Sequence, residues 1–133
     1  MAQAQRSQKP VLEKLLLKPG TRAAVLQAPA GYASLLASAP TAVAVDAPLD
    51  GSYDWIQYFA RTRAELDRDV PALKRVLAPS TVLWISYPKG KAEPTDLNRD
   101  VLRTQLQPLG LQPVTQVAID DVWSALRFKL IEG

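Results

Sequence analysis

The stretch Thr81–Tyr87 constrains this chain more than any other part of it. Thr-Val-Leu-Trp-Ile-Ser-Tyr is almost continuously apolar, and Ala78-Pro79-Ser80 and Pro88-Lys89-Gly90 bound it with turn residues. A strand with one wet face alternates polar and apolar residues; a strand with no alternation is covered on both faces. In a chain of 133 residues that coverage is achieved by burying a sheet between two layers of helices.

The rest of the chain reads into that plan. Pro10 suits a first helical position, and Val11, Leu12, Leu15 and Leu16 have helical spacing, so a helix is predicted over 10–17 and ended by Pro19-Gly20. Ala23–Gln27 reads as a short buried strand, 28–32 as a loop, Tyr32–Ser38 as a helix, and Thr41–Val45 as a second strand. After turns at Asp46-Ala47-Pro48 and Asp50-Gly51, Tyr53–Ala60 is rich in strand formers. Thr62-x-x-Glu65 has the spacing of a capping box, and Leu66, Val70, Leu73 and Leu77 then share one helical face. Pro71 predicts a break near Asp69, with Asp69 capping a second short helix over 70–77. Thr95 is the expected N-cap of the next helix, with Asp96 in its first turn and Gly110 at its end. Pro113–Ile119 and Val122–Leu130 close the chain as a hairpin turning at Asp120-Asp121. Strands alternating with helices and then a hairpin predict a mostly parallel sheet with one antiparallel strand near an edge.

Composition removes whole classes of chemistry. The chain has no cysteine and no histidine, which excludes disulfide scaffolds, Cys/His zinc sites, cysteine nucleophiles and histidine-based triads. No Gly-x-x-x-x-Gly-Lys phosphate loop and no Gly-x-Ser-x-Gly elbow is present. The net charge of +3 is concentrated at one end: residues 1–22 hold Arg6, Lys9, Lys14, Lys18 and Arg22 against Glu13 alone, whereas the remainder holds 11 basic and 12 acidic groups. Residues 1–9 are expected to be a flexible basic arm and 10–133 a single domain. The arm is too sparse in cations, and too poor in aromatics, to predict nucleic-acid binding. No run is long and apolar enough to predict a membrane span or a secretory signal, so the expected location is cytoplasmic.

The element order, with Leu77-Ala78-Pro79-Ser80-Thr81-Val82-Leu83-Trp84 leading into the central strand and Leu17-Lys18-Pro19-Gly20-Thr21-Arg22 into the first, resembles the class I methyltransferase fold. Tyr87-Pro88-Lys89, Thr95-Asp96-Leu97-Asn98-Arg99-Asp100 and Val117–Phe128 further resemble a family of small bacterial proteins of unassigned activity. The resemblance implies an α/β, three-layer, Rossmann-like architecture: a mostly parallel six-stranded sheet with a C-terminal antiparallel hairpin. It also implies a methyl-donor loop of the form acidic-x-Gly-x-Gly-x-Gly after the first strand. Here that stretch is Gln27-Ala28-Pro29-Ala30-Gly31-Tyr32. One glycine is kept, the acid is replaced by Gln27, and Pro29 has no N–H to offer an anion. The helix expected between strands two and three has only 46–52 to form from.

Ligands of open α/β sheets bind beyond the C-terminal ends of the strands, which nominates Gln27, Gly31, Tyr32, Asp46, Arg61, Tyr87 and Lys89 as a crevice. Asp46 has two readings there, a ribose ligand or a loop cap. Arg61 and Lys89 follow adjacent strands and either hold an anion together or are solvated loop cations. A second cluster comprises Thr95, Asp96 and Arg99, read as an anion site covered by Lys89 or as a capped helix start with an Asp96–Arg99 pair. In the hairpin, Asp121 belongs to an acidic turn, and Trp123 and Arg127 share a face and are expected to stack. Together these readings describe a non-catalytic binding or interaction domain on a degenerate methyltransferase-like scaffold, with no cofactor and with a second copy, another protein or a small ligand as its partner. The alternative is an enzyme that binds S-adenosylmethionine or a nucleotide.

Overall fold

The computed structural model describes residues 11–90 and 94–131. The predicted basic arm, Pro10 and residues 91–93 lie outside them. In chain order the elements are α1 (Val11–Lys14), β1 (Ala23–Leu26), α2 (Tyr32–Leu36), β2 (Val43–Val45), β3 (Trp55–Phe59), α3 (Arg63–Arg75), β4 (Val82–Pro88), α4 (Arg99–Leu106) with a 3₁₀ turn at Gln107–Leu109, β5 (Leu111–Ala118) and β6 (Trp123–Leu130). The strands form one six-stranded sheet in the order β2-β1-β3-β4-β6-β5. The first four run parallel, and β6 lies antiparallel to both β4 and β5. This is the architecture that the alternation of elements predicted.

Strand parity sorts the side chains onto two faces. Ala24, Ile56, Tyr58, Leu83, Ile85, Leu126 and Phe128 pack against Leu66, Val70 and Leu73 of α3 and Leu102 and Leu106 of α4. Ala23, Val25, Trp55, Phe59, Trp84 and Ala125 pack against Leu12, Leu15, Leu17 and Tyr32. Each face therefore has its own core, which is why β4 carries no alternation. The second core is anchored at one atom: the indole N–H groups of Trp55 and Trp84 both donate to the carbonyl of Leu15, each at 2.7 Å. That carbonyl lies just past the end of α1, and the next residue, Leu16, takes φ 68°. The turn ends the helix at Lys14, shorter than the 10–17 that spacing predicts.

Two helix starts differ from the sequence reading. Pro71 does not break α3, which runs unbroken through Arg75. A proline costs about 3 kcal/mol inside a helix, whereas Leu66, Val70 and Leu73 each contribute roughly 1.5–3 kcal/mol by burial. Pro71 and Asp67 are both exposed, so the carbonyl that loses its helical donor faces water. Thr95 is not the N-cap of α4. Asn98 is, its side chain accepting from the Val101 N–H at 2.9 Å. Thr95 instead donates to the Arg61 carbonyl and accepts from the Leu97 N–H, fixing the approach to the helix.

The crossover from β2 to β3 has no helix. Arg22 holds it instead. Its guanidinium donates to the carbonyls of Asp50 and Ser52 at 2.8 and 2.7 Å, pairs with the Asp50 carboxylate at 2.7 Å, and lies 4.1 Å from the Tyr53 ring centroid. Leu49 packs down onto the α3-side core. The last basic residue of the N-terminal region is thus a half-exposed staple for the fold.

Candidate functional site

The C-terminal ends of β1 and β2 meet at a pair of unusual backbones. Gln27 and Asp46 follow the two strands with φ 59° and φ 53°, in the left-handed region where non-glycine residues are uncommon and Asp is among those enriched. They support each other: the Gln27 N–H donates to Asp46 Oδ1 at 2.6 Å, and the Asp46 N–H donates to the Val25 carbonyl at 2.9 Å. The geometry gives Asp46 the role of a loop cap.

The side chain of Gln27 spans the strand ends. Its amide N–H groups donate to the Tyr58 hydroxyl at 3.3 Å and the Phe59 carbonyl at 2.9 Å, and its Oε1 accepts from Arg68 at 3.0 Å. Arg68 also grips Asp69 through two hydrogen bonds, and Asp69 accepts from Tyr58. The adjacent Arg68 guanidinium, followed by the Tyr58 hydroxyl, holds the Asp69 carboxyl below the usual carboxylate range. Burial, reinforced by Asp69, pushes the Tyr58 hydroxyl far above the usual tyrosine range. What remains between β1, β2 and α3 is a cleft of about 230 Å³ lined by Leu26, Gln27, Asp46, Leu49, Tyr58, Asp69, Ala72 and Leu73. Ligand sites for drug-sized molecules run to roughly 300–1,000 Å³.

The loop after β1 fills the other side of the sheet. Gly31 takes φ 88° and opens α2, a helix of five residues. Tyr32 turns inward, its ring edge-on to Phe59 at 4.8 Å. Its hydroxyl donates to Gln57 Oε1 at 2.6 Å, and Gln57 Nε2 donates to Ser86 Oγ at 3.1 Å. This polar row crosses the core with Gln57 and Ser86 wholly buried, and burial raises the Tyr32 hydroxyl well above the usual tyrosine range. Above it, a shallow cleft of about 510 Å³ runs between 29–32 and the hairpin turn at 119–123.

The residues nominated from the sequence therefore separate. Gln27 and Asp46 belong to the α3-side cleft, and Gly31 and Tyr32 to the opposite one. Arg61 lies over the Trp123 ring at 5.0 Å, so Trp123 stacks on Arg61 and not on Arg127. Arg127 instead sits opposite Trp84 and Thr115, with a buried Nε that lacks a partner. Lys89 donates to the Asp120 carbonyl at 2.7 Å and so fastens the hairpin turn. In that turn Asp120, rather than Asp121, does the work, accepting from the Val122 and Trp123 N–H groups. Tyr87 faces the α4-side core, where its hydroxyl accepts from Gln116, and burial raises it above the usual range. Asp96 accepts from the Arg63 N–H at the start of α3, and Arg99 lies 3.8 Å from Asp100, so no Asp96–Arg99 pair forms. Among the described residues there is no cluster of three acidic groups that could hold a metal ion.

Arg68, Asp69, Gln57 and Tyr58 are the participants that sequence reading missed. Arg68 and Asp69 lie on α3, and their partners Gln27 and Tyr58 come from distant strands, which no local pattern announces. Gln57 is the one amide within an aromatic strand, and that oddity is its only sequence signal.

The fold is that of methyltransferases. The chain superposes on an S-adenosylmethionine-dependent methyltransferase from Aquifex aeolicus with a TM-score of 0.63 at 18% identity, covering 91% of this chain and 88% of that one. It matches the fibrillarin pre-rRNA processing protein of Methanococcus jannaschii at TM-score 0.61 and 14% identity, covering 96% and 71%. It matches magnesium protoporphyrin IX methyltransferase from Synechocystis PCC 6803, a structure with bound SAH, at TM-score 0.61 and 14% identity, covering 90% and 80%. No family model and no curated protein matches the sequence. Among the described residues no helix is long and apolar enough to cross a membrane.

Proposed function

We propose that this chain is a non-catalytic binding or interaction domain on a methyltransferase-like scaffold whose methyl-donor crevice is occupied by its own side chains. The carrying observation is Gln27. It stands where the methyltransferase resemblance expects an acid that orients the donor, and all three polar positions of its amide are committed to Tyr58, Phe59 and Arg68. Asp46, which the sequence reads as either a ribose ligand or a loop cap, accepts from the Gln27 N–H. Pro29 withholds an N–H from the loop, and Tyr32 enters the core. The residues present do not fit S-adenosylmethionine. The resemblance to small bacterial proteins of unassigned activity belongs with this reading, as does a protein or second-copy partner in the cytoplasm.

The test is thermal unfolding with and without S-adenosylmethionine, S-adenosylhomocysteine and ATP. A ligand at 100 times its dissociation constant stabilises by about 2.7 kcal/mol, which for a domain of this size is several degrees. The expected result is no shift with any of the three. A reproducible shift with an adenosyl compound, abolished by Asp46→Ala, would overturn the proposal in favour of an adenosyl- or nucleotide-binding enzyme.

A further inference from the structure

We infer that the outer edge of β2 is an interface between two copies of this chain, paired antiparallel about Ala44. This deepens the interaction reading above by naming the partner. The parity of the strand is set by its bonds to β1. Asp46 N–H donates to the Val25 carbonyl, and Val25 is in register with Val45. Ala44 and Asp46 therefore direct their backbone groups to β1, and Val43 and Val45 direct theirs outward, at the edge of the sheet.

The two edges of the sheet are treated differently. On β5, Pro113 has no N–H, and the register slips between Pro113 and Thr115. Prolines and bulges blunt an edge against pairing. The β2 edge has neither a proline nor a bulge, and its only blunting feature is its length of three residues. Thr41-Ala42-Val43-Ala44-Val45 holds no proline and no charge, and Val45 is 45% exposed although apolar. A row of outward backbone donors and acceptors is matched by an extended strand.

The strand's own sequence is self-complementary. With a two-fold axis at Ala44, Val43 of one copy lies opposite Val45 of the other, and the two exchange both N–H···O=C bonds. Asp46 then lies opposite Ala42, so no two carboxylates face each other. The antiparallel arrangement brings the other copy's Asp46 to the N-terminal end of β2, near a groove lined by both Lys18 and Glu13, whose opposite charges offset each other. The two six-stranded sheets become continuous.

The experiment is sedimentation of the full chain from micromolar to millimolar concentration, with amide hydrogen exchange at both extremes. Two variants accompany it. Val43→Pro removes an outward N–H, which costs the monomer no sheet bond, together with the packing of the Val43 side chain on the second core; Val45→Lys places a charge on the edge at a side chain that is 45% exposed. The expected result is a reversible rise toward twice the monomer mass, slowed exchange at Val43 and Val45, a monomer in both variants, and a near-parental melting temperature in Val45→Lys. If Val43→Pro unfolds, Val45→Lys decides. A parent chain that stays monomeric throughout, or a dimer that survives the edge substitutions, overturns the inference. Adenosyl compounds added to the same samples separate the two proposals. A monomer with no thermal shift refutes only the dimer, and a dimer with a shift refutes only the occupied crevice.

Discussion

Tyr32→Phe removes one oxygen from the core and leaves the carbon packing of the ring in place. The consequence falls on Gln57. Its Oε1 accepts from the Tyr32 hydroxyl at 2.6 Å, and Gln57 has no exposure to water. A buried carbonyl left without a donor costs about 1–3 kcal/mol. For a domain of this size each kcal/mol moves the melting temperature by about 3–5 °C, so Tyr32→Phe should melt roughly 3–15 °C lower. Gln57→Leu should also destabilise, because it strands both the Tyr32 hydroxyl and Ser86 Oγ. The double variant removes donor and acceptor together, and should lose less than the sum of the singles by about 1 kcal/mol or more. Urea unfolding followed by tryptophan fluorescence measures all four corners of the cycle. Burial places the folded Tyr32 pKa above its unfolded value. The contribution is therefore fully present below the ordinary tyrosine pKa of 10.0 and is lost only as pH rises beyond it. The difference between parent and Tyr32→Phe should accordingly be flat from about pH 6 to 9. Additivity of the singles, or a Tyr32→Phe loss below about 0.5 kcal/mol, would show that the row is not a coupled network and that Tyr32 does not close the core.

Arg22→Ala should leave the sheet intact and release the 46–52 crossover, read as faster proteolytic cleavage and amide exchange there with little change in the rest; Arg22→Lys, which cannot span two carbonyls and a carboxylate in one plane, should rescue it only in part. Asp69→Asn should destabilise the chain at neutral pH. The Asp69 pKa is depressed in the folded state, so its contribution is present above the ordinary carboxylate value and is lost as pH falls through the folded one. The urea midpoints of parent and Asp69→Asn should converge below pH 3.8, and a gap that stays constant into acid would refute the Arg68–Asp69–Tyr58 arrangement.

Much of the fold is legible because burial writes a periodic signal. The Thr81–Tyr87 run, the Leu66/Val70/Leu73 face and the closing hairpin each carry the imprint of a neighbour on a known side. The errors fall where a tertiary contact competes with a local rule. Pro71 breaks helices by local rules and is overruled by three buried apolar residues on α3. Thr95 has good N-cap chemistry but is taken by the Arg61 carbonyl, leaving Asn98 to cap α4. Trp123 and Arg127 share a face by parity, yet Arg61, 62 positions earlier in the chain, reaches the ring. The candidate site is less legible still. Its residues are joined by bonds between distant segments, such as Gln27 to Arg68 and Tyr32 to Gln57, and single residues carry no periodicity.

The short crossover links the two proposals to one cause. A parallel connection ordinarily includes a helix, and that helix covers the sheet. Here 46–54 returns as an irregular segment stapled by Arg22, with Leu49 packed against the α3-side core. Without a helix there, the end of β2 needs another support, and Gln27 and Asp46 supply it by bonding to each other in left-handed backbones. That same bond engages Asp46 Oδ1, one of the two oxygens that the ribose reading of Asp46 invokes. With no helix or further strand beside it among the described residues, β2 also lies at the edge of the sheet. A longer crossover would relieve both conditions at once. Replacing 47–52 with a helical segment that packs on β1 and β2 should therefore reduce self-association and loosen the Gln27–Asp46 bond together, the first read by sedimentation and the second by faster exchange of the Gln27 amide. A replacement that changes one and not the other would show that the occupied crevice and the open edge arose separately.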